Sequence, residues 1–249
     1  MINRKLFKDN KLALGSWITM AHPAVAEIMA NSGFDWLAVD LEHSVITIRE
    51  AEELIRIIEL SNVIPLVRVT SNNADLIKRV MDAGAHGVIV PMVNSASDAK
   101  KIIEFVKYPP RGKRGVGLAR AQKYGAGFDE YKEWQIDQPV IIVQIEHIDA
   151  VHNFKEILSV PGIDGFIIGP YDLTSSMGIP GEFSNPKFLK VMDQIKQISA
   201  DMKAIGGMHI IEPDPDELVK TIEDGYKFIA YSLDIRMLDH SCKLALNKI

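Results

Sequence analysis

Four times along the chain a glycine stands two or three residues ahead of a short, unbroken apolar run: NSGFDWLAVD (31–40), DAGAHGVIVP (82–91), VPGIDGFIIG (160–169) and EDGYKFIAYS (223–232). No other feature restricts the fold as much. Runs that are continuous rather than alternating suit parallel strands buried on both faces. Gly33, Gly84 and Gly225 each follow a helical-looking stretch, as a left-handed helix-terminating residue would; Gly162 follows Pro161 and reads as a turn. Four further candidate strands lie between the echoes: LALGSWI (12–18), VIPLVRV (63–69), PVIIVQIE (139–146) and AIGGMHI (204–210). The echo therefore marks the second, fourth, sixth and eighth strands.

Helical spacing fills most of the gaps. AVAEIMANS, IREAEELIRIIELS, NADLIKRVMDAG and ASDAKKIIEFVKY repeat apolar residues at the helical period. Two more helices open at Asn185-Pro186 and Asp214-Pro215, where the first residue caps and the proline takes the first helical position. Eight strands alternating with helices predict an α/β fold, a single-domain (β/α)8 TIM barrel over residues 1–249 with a C-terminal helix. An open doubly wound sheet is the alternative, but no Gly-x-Gly-x-x-Gly turn follows the first strand.

Charge and composition remove several functions. The net charge of −5 leaves no basic footprint for nucleic acid. A single cysteine, Cys242, excludes an internal disulfide and a thiolate metal site. No apolar run approaches the ~18 residues that span a bilayer. MINRKLFKDNK at the start lacks the apolar core of a signal peptide, so the expected location is cytoplasmic. One stretch, 109–138, has little periodicity and reads as a long loop, a lid or a subunit contact.

In a barrel of this kind the chemistry sits at the C-terminal ends of the strands. Those ends carry Asp40, Glu42 and His43 after strand two, Arg68 in strand three and Pro91 after strand four. Gln144 and Glu146 close strand five, Gly169 and Asp172 follow strand six, His209 closes strand seven and Ser232 follows strand eight. Gln144 and Glu146 share a face by the period of two. Glu146 could instead be a helix N-terminal acid, and Asp172 a turn cap. Together, as carboxylates from neighbouring strands, they suit a hard divalent cation such as Mg²⁺ or Mn²⁺. Arg68 inside an apolar strand must be paired or functional: Asp40 or Glu42 is one partner, a substrate oxyanion the other. His43 beside such a centre is a candidate for proton transfer, with a hydrogen-bonded structural histidine as the alternative. No lysine lies in or at the end of a strand, which disfavours a barrel Schiff base. No glycine-rich phosphate loop follows strand seven or eight, so the expected ligand is a non-phosphorylated anion.

These residues resemble the HpcH/HpaI family of class II pyruvate aldolases. The likeness runs through GSW (15–17), GFDWLAVDLEH (33–43), PLVRV (65–69), DAGAHGVIVPMV (82–93), YPPRGKRGVG (108–117), VQIE (143–146) and IGPYDLTSSMG (168–178). It implies a (β/α)8 barrel, a homo-oligomer (a hexamer) and reversible aldol cleavage of a 4-hydroxy-2-oxo acid to pyruvate and an aldehyde. It further implies Glu146 and Asp172 as ligands of Mg²⁺ or Mn²⁺, with Co²⁺ as a further candidate. Gln144, Asp172 and the backbone N–H of Tyr171 would meet the substrate, His43 would be the acid/base group and Arg68 would stabilise the enolate oxygen. Asp82, otherwise a surface acid at the end of a helix, matches the acid that raises the basicity of the histidine. Family members carry alanine or serine where this chain has Tyr171, whose side chain would narrow the aldehyde pocket. A CoA-ester lyase of the citrate-lyase β-subunit type is the alternative enzyme, with Arg111, Lys113 and Arg114 as its phosphate contacts; a non-catalytic 2-oxo-acid-binding barrel is the alternative outside enzymes.

Overall fold

The computed structural model describes residues 11–246. Eight parallel strands close in sequence order into a barrel, β1 back against β8. They are β1 (Ala13–Ile18), β2 (Trp36–Asp40), β3 (Ile64–Arg68), β4 (Gly87–Val90), β5 (Val140–Ile145), β6 (Gly165–Ile168), β7 (Gly206–Ile210) and β8 (Phe228–Leu233). The eight expected strands are all present, shorter by up to two residues at an end except that β8 takes in Ser232, expected to follow it, and runs to Leu233. Glycines 33, 84, 162 and 225 all have φ between 95° and 103°, the left-handed region the echo required.

The helices follow in the same order. α1 (Pro23–Ala30), α2 (Ile48–Leu60), α3 (Ala74–Asp82) and α4 (Ala96–Val106) separate the first five strands, with α5 (Phe128–Asp137) added before β5. α6 (Ile148–His152) and α7 (Phe154–Leu158) precede β6, α8 (Pro170–Ser176) and α9 (Pro186–Met202) precede β7, α10 (Pro215–Glu223) precedes β8 and α11 (Asp234–Leu246) closes the chain. Local chemistry sets the starts: Thr47 and Glu50 form a capping box on α2, and Asn185 and Asp214 cap α9 and α10 ahead of a proline.

Two cores follow from the pleat. Leu37, Val39, Val67, Val88 and Ile141 face outward and pack under the helices. Trp17, Trp36, Ala38, Leu66, Ile89, Ile142, Ile167, Phe228 and Ala230 fill the barrel itself. Trp36 stacks on Phe228 with centroids 4.3 Å apart, and Trp17 meets Trp36 edge-on at 6.1 Å. Gly15 makes room for them, since a Cβ there would lie 2.0 Å from the Trp36 ring. This aromatic plug fills the floor and pushes polar inward-facing residues to the C-terminal rim.

The stretch 109–138 is not a loop throughout. Residues 128–137 form α5, which buries Tyr131 and Trp134; their spacing is masked in the sequence by the acids and glutamines around them. Arg120 reaches the Ala83 carbonyl (3.1 Å) and pairs with Glu59, and Trp134 lies 5.3 Å from His86. Those contacts sit where α3 runs into β4, the N-terminal end of the barrel. Residues 120–134 are therefore no lid over the strand C-termini.

Candidate active site

The C-terminal rim gathers its charges around Arg68. Asp40, the last inward residue of β2, is buried and pairs with the Arg68 guanidinium through two bonds, Nε to Oδ1 (2.8 Å) and Nη2 to Oδ2 (2.7 Å). Such a fork fixes the guanidinium plane as well as its charge. The ring of Trp17 lies beneath it, 4.3 Å from Cζ. Among the described residues Nη1 makes no hydrogen bond and remains for a ligand. Asp40 Oδ1 also accepts the backbone N–H of Glu42 (3.0 Å) and of His43 (3.3 Å), which bends the chain out of the strand and sets both side chains on the rim.

Glu42, which the sequence offered only as a partner for Arg68, is a functional candidate in its own right. Its carboxylate lies 3.4 Å from Arg68 Nε and 3.8 Å from His43 Nε2, and Oε2 is shielded without a hydrogen bond. Burial pushes its pKa from 4.5 up to about 7; Arg68 opposes the rise, while Glu146, Asp40 and Asp172 add to it. Nothing in DLEH announces this, because the neighbours come from β3, β5 and β6. His43 is mostly exposed at the mouth, with Glu42 beside it.

Across the barrel, Glu146 is buried at the end of β5. Its Oε1 accepts the Met92 N–H (2.7 Å), and its Oε2 accepts from the Gln144 side chain. Met92 holds φ 52°, a left-handed conformation unusual for a residue with a side chain, and this turns its N–H toward the carboxylate. Burial raises the pKa of Glu146, the Gln144 and Met92 donors lower it, and the charge of Asp172 raises it again. Asp172 is exposed in the first turn of α8. Gly169 keeps the space between the strands open: a Cβ there would lie 2.8 Å from Glu146 Oε2 and 3.0 Å from its Cβ.

Two neighbouring carboxylates, one desolvated and raised in pKa beside the other, fit a hard cation with oxygen ligands. Among the described residues no three His, Cys, Asp or Glu side chains form a cage. The two acids would thus leave coordination positions to water and substrate, the arrangement expected where the ion takes part in the chemistry.

His209 ends β7 inside the rim, edge-on to Trp17 at 5.5 Å, with Nε2 shielded and unpartnered. Burial and Arg68 push its pKa down to about 3, so it is neutral at working pH. Ser232, at φ 52°, accepts at its carbonyl from Ser16 (3.1 Å).

Asp82 is elsewhere. It ends α3 at the N-terminal end of the barrel and pairs with Arg114 at 3.2 Å, so one chain does not bring its own Asp82 to its own His43. Burial raises its pKa against the pull of Arg114 and Lys78. Arg114 is itself buried, 4.3 Å above the Tyr108 ring and bonded to the Tyr131 hydroxyl at 2.8 Å. Lys113 pairs with Glu104 and Arg111 donates to the Ile136 carbonyl. The cluster that a CoA phosphate would need is thus engaged by the protein. The Tyr171 side chain packs against Phe183, edge-on at 4.9 Å.

The chain has known relatives over most of its length. Residues 13–241 match the family described as HpcH/HpaI aldolase/citrate lyase. The chain is 35% identical over 237 residues to the hydroxypyruvate/pyruvate aldolase of Roseobacter denitrificans, covering 94% of this chain and 91% of that one. It is 37% identical to the 2-keto-3-deoxy-L-rhamnonate aldolase of Klebsiella pneumoniae, over 89% and 82% of the two chains. Among solved structures, an HpcH/HpaI aldolase/citrate lyase family protein from Burkholderia cenocepacia superposes with a TM-score of 0.93 at 28% identity, covering 99% of this chain and 98% of that one.

Proposed function

Because the chain belongs to the HpcH/HpaI aldolase/citrate lyase family, we propose that this rim is the active site of a divalent-metal-dependent aldolase. It cleaves a 4-hydroxy-2-oxo acid to pyruvate and an aldehyde, reversibly. One observation carries the reading: Glu146 and Asp172 stand beside an arginine whose position is fixed by Asp40 and whose Nη1 has no partner among the described residues.

Cleaving the C3–C4 bond leaves the pyruvate half as an enolate, and catalysis consists of stabilising charge on the former ketone oxygen. Glu146 and Asp172 would hold a divalent ion, which when bound would supply Lewis acidity there; Mg²⁺, Mn²⁺ and Co²⁺ all suit two carboxylates. Arg68 directs Nη1 at the same oxygen, and a fixed charge needs no reorganisation as the negative charge develops. Gln144, held against Glu146, presents its remaining amide atoms to the substrate, and the Tyr171 N–H binds its carboxylate. His43 takes the proton of the 4-hydroxyl, directly or through water, and returns one to the enolate carbon.

Asp82 acts on the histidine only across a subunit boundary, since it lies at the opposite end of its own barrel. That role belongs to a homo-oligomer, with a hexamer as the assembly suggested by resemblance. No described helix is long and apolar enough to cross a membrane, and we place the enzyme in the cytoplasm, acting on small 2-oxo acids and aldehydes. His43→Ala is expected to keep pyruvate affinity, read by calorimetry with Mg²⁺ present, while turnover falls about 10²–10⁴-fold. Equal loss of both would remove His43 from the chemistry.

A further inference from the structure

Beside the carboxylate mouth lies a second cavity, of about 390 Å³, that the catalytic groups do not use. It opens at Pro170 and Tyr171, next to Asp172, reaches His209 at the end of β7, and continues over the outer face of β7 between α9 and α10. Its walls are Phe183, Phe188, Met192, Met208 and Ile211. The Tyr171–Phe183–Phe188 rings form a continuous edge, with centroid separations of 4.9 Å and 5.9 Å. Tyr171 and Phe183 keep 53% and 38% of their surface exposed, an aromatic area left uncovered at the entrance to an active site.

The charges around this cavity are largely neutralised. Glu212 is bonded to Arg236 (2.7 Å) and Asp224 to Lys196 (3.1 Å), which leaves Glu217 and Lys220 as one charge of each sign. The lining thus carries no net charge to favour a charged tail of either sign, and an uncharged apolar one gains by leaving water. We infer that this cavity receives the distal part of the aldehyde half, and that Tyr171 and Phe183 select 4-hydroxy-2-oxo acids with an apolar alkyl or aryl tail. The inference rests on the aldolase reading: the metal and Arg68 hold the pyruvate half, and the tail points where the rim continues into an apolar groove.

The test is aldol addition of pyruvate, with Mg²⁺ present, to hexanal, succinic semialdehyde and glycolaldehyde. The proteins compared are the parent, Phe183→Ala and Met192→Trp, the last placed to fill the groove. The expected result is a parent kcat/KM for hexanal about tenfold above those for the other two. Both substitutions should lower the hexanal value about tenfold and leave glycolaldehyde within about twofold. Comparing aldehydes within each variant cancels any loss of folded protein. Equal loss for both aldehydes, an unchanged hexanal rate in Met192→Trp, or a parent active on glycolaldehyde but not hexanal would overturn the tail site and leave the aldolase standing. A parent inactive on every aldehyde would overturn the aldolase reading, and the tail site with it.

Discussion

At the scale of single residues, the rim is an arrangement of charges that hold one another in place. Arg68 is fixed by both oxygens of Asp40, and lysine has no second donor in that plane. Arg68→Lys is therefore expected to lower kcat about 10²–10³-fold, measured with saturating substrate, and to do so with the barrel intact. Glu42 gives a pH signature. An acid whose folded pKa lies above its unfolded value is destabilising once charged, so the cost begins above 4.5 and is complete near 7. Glu42→Gln should be more stable than the parent at pH 8 in metal-free buffer by about 1–3 kcal/mol, in urea denaturation. The gap should close as pH falls below the unfolded pKa. A variant less stable at both ends would show that Glu42 is held charged. Gln144 and Glu146 were legible in the sequence because a period of two puts them on one face. The environment of Glu42 was not, since it is assembled from three other strands. The role of Asp82 came from resemblance alone, and its position at the far barrel end explains why spacing could not reveal it.

At the scale of elements, the strands were readable and α5 was not, for one reason. A strand buried on both faces must be mostly apolar, and each of the eight keeps such a run, with Asp40, Arg68, Gln144 and His209 set toward the C-terminal ends. α5 buries little besides Tyr131 and Trp134, so its sequence carries hardly any period. The turn from β6 into α8 shows how closely an element can be tied to the site. Gly169→Ala would put a methyl against Glu146, forcing the carboxylate aside. The expected outcome is a loss of about 1–3 kcal/mol in thermal unfolding together with weakened Mn²⁺ binding; normal Mn²⁺ affinity would show that Glu146 does not hold the ion. In the loop that carries Glu42 and His43, Thr47→Ala removes the α2 cap and should cost about 0.5–2 kcal/mol in urea denaturation.

For the whole molecule, the barrel separates stability from chemistry along its axis. Trp36, Phe228 and the glycine that admits them fill the floor, and Arg120, Glu59, His86 and Trp134 bind the returning segment to the N-terminal end. The C-terminal rim is left to carry buried carboxylates that a hydrophobic core would not tolerate without a cation. That dependence is the central claim, and pyruvate release from a panel of 4-hydroxy-2-oxo acids, coupled to lactate dehydrogenase, tests it most directly. The account predicts release with Mg²⁺ or Mn²⁺, loss of release in EDTA, recovery when the ion is restored, and no recovery in Asp172→Asn. Release that continues undiminished in EDTA, or that survives in Asp172→Asn, would contradict it.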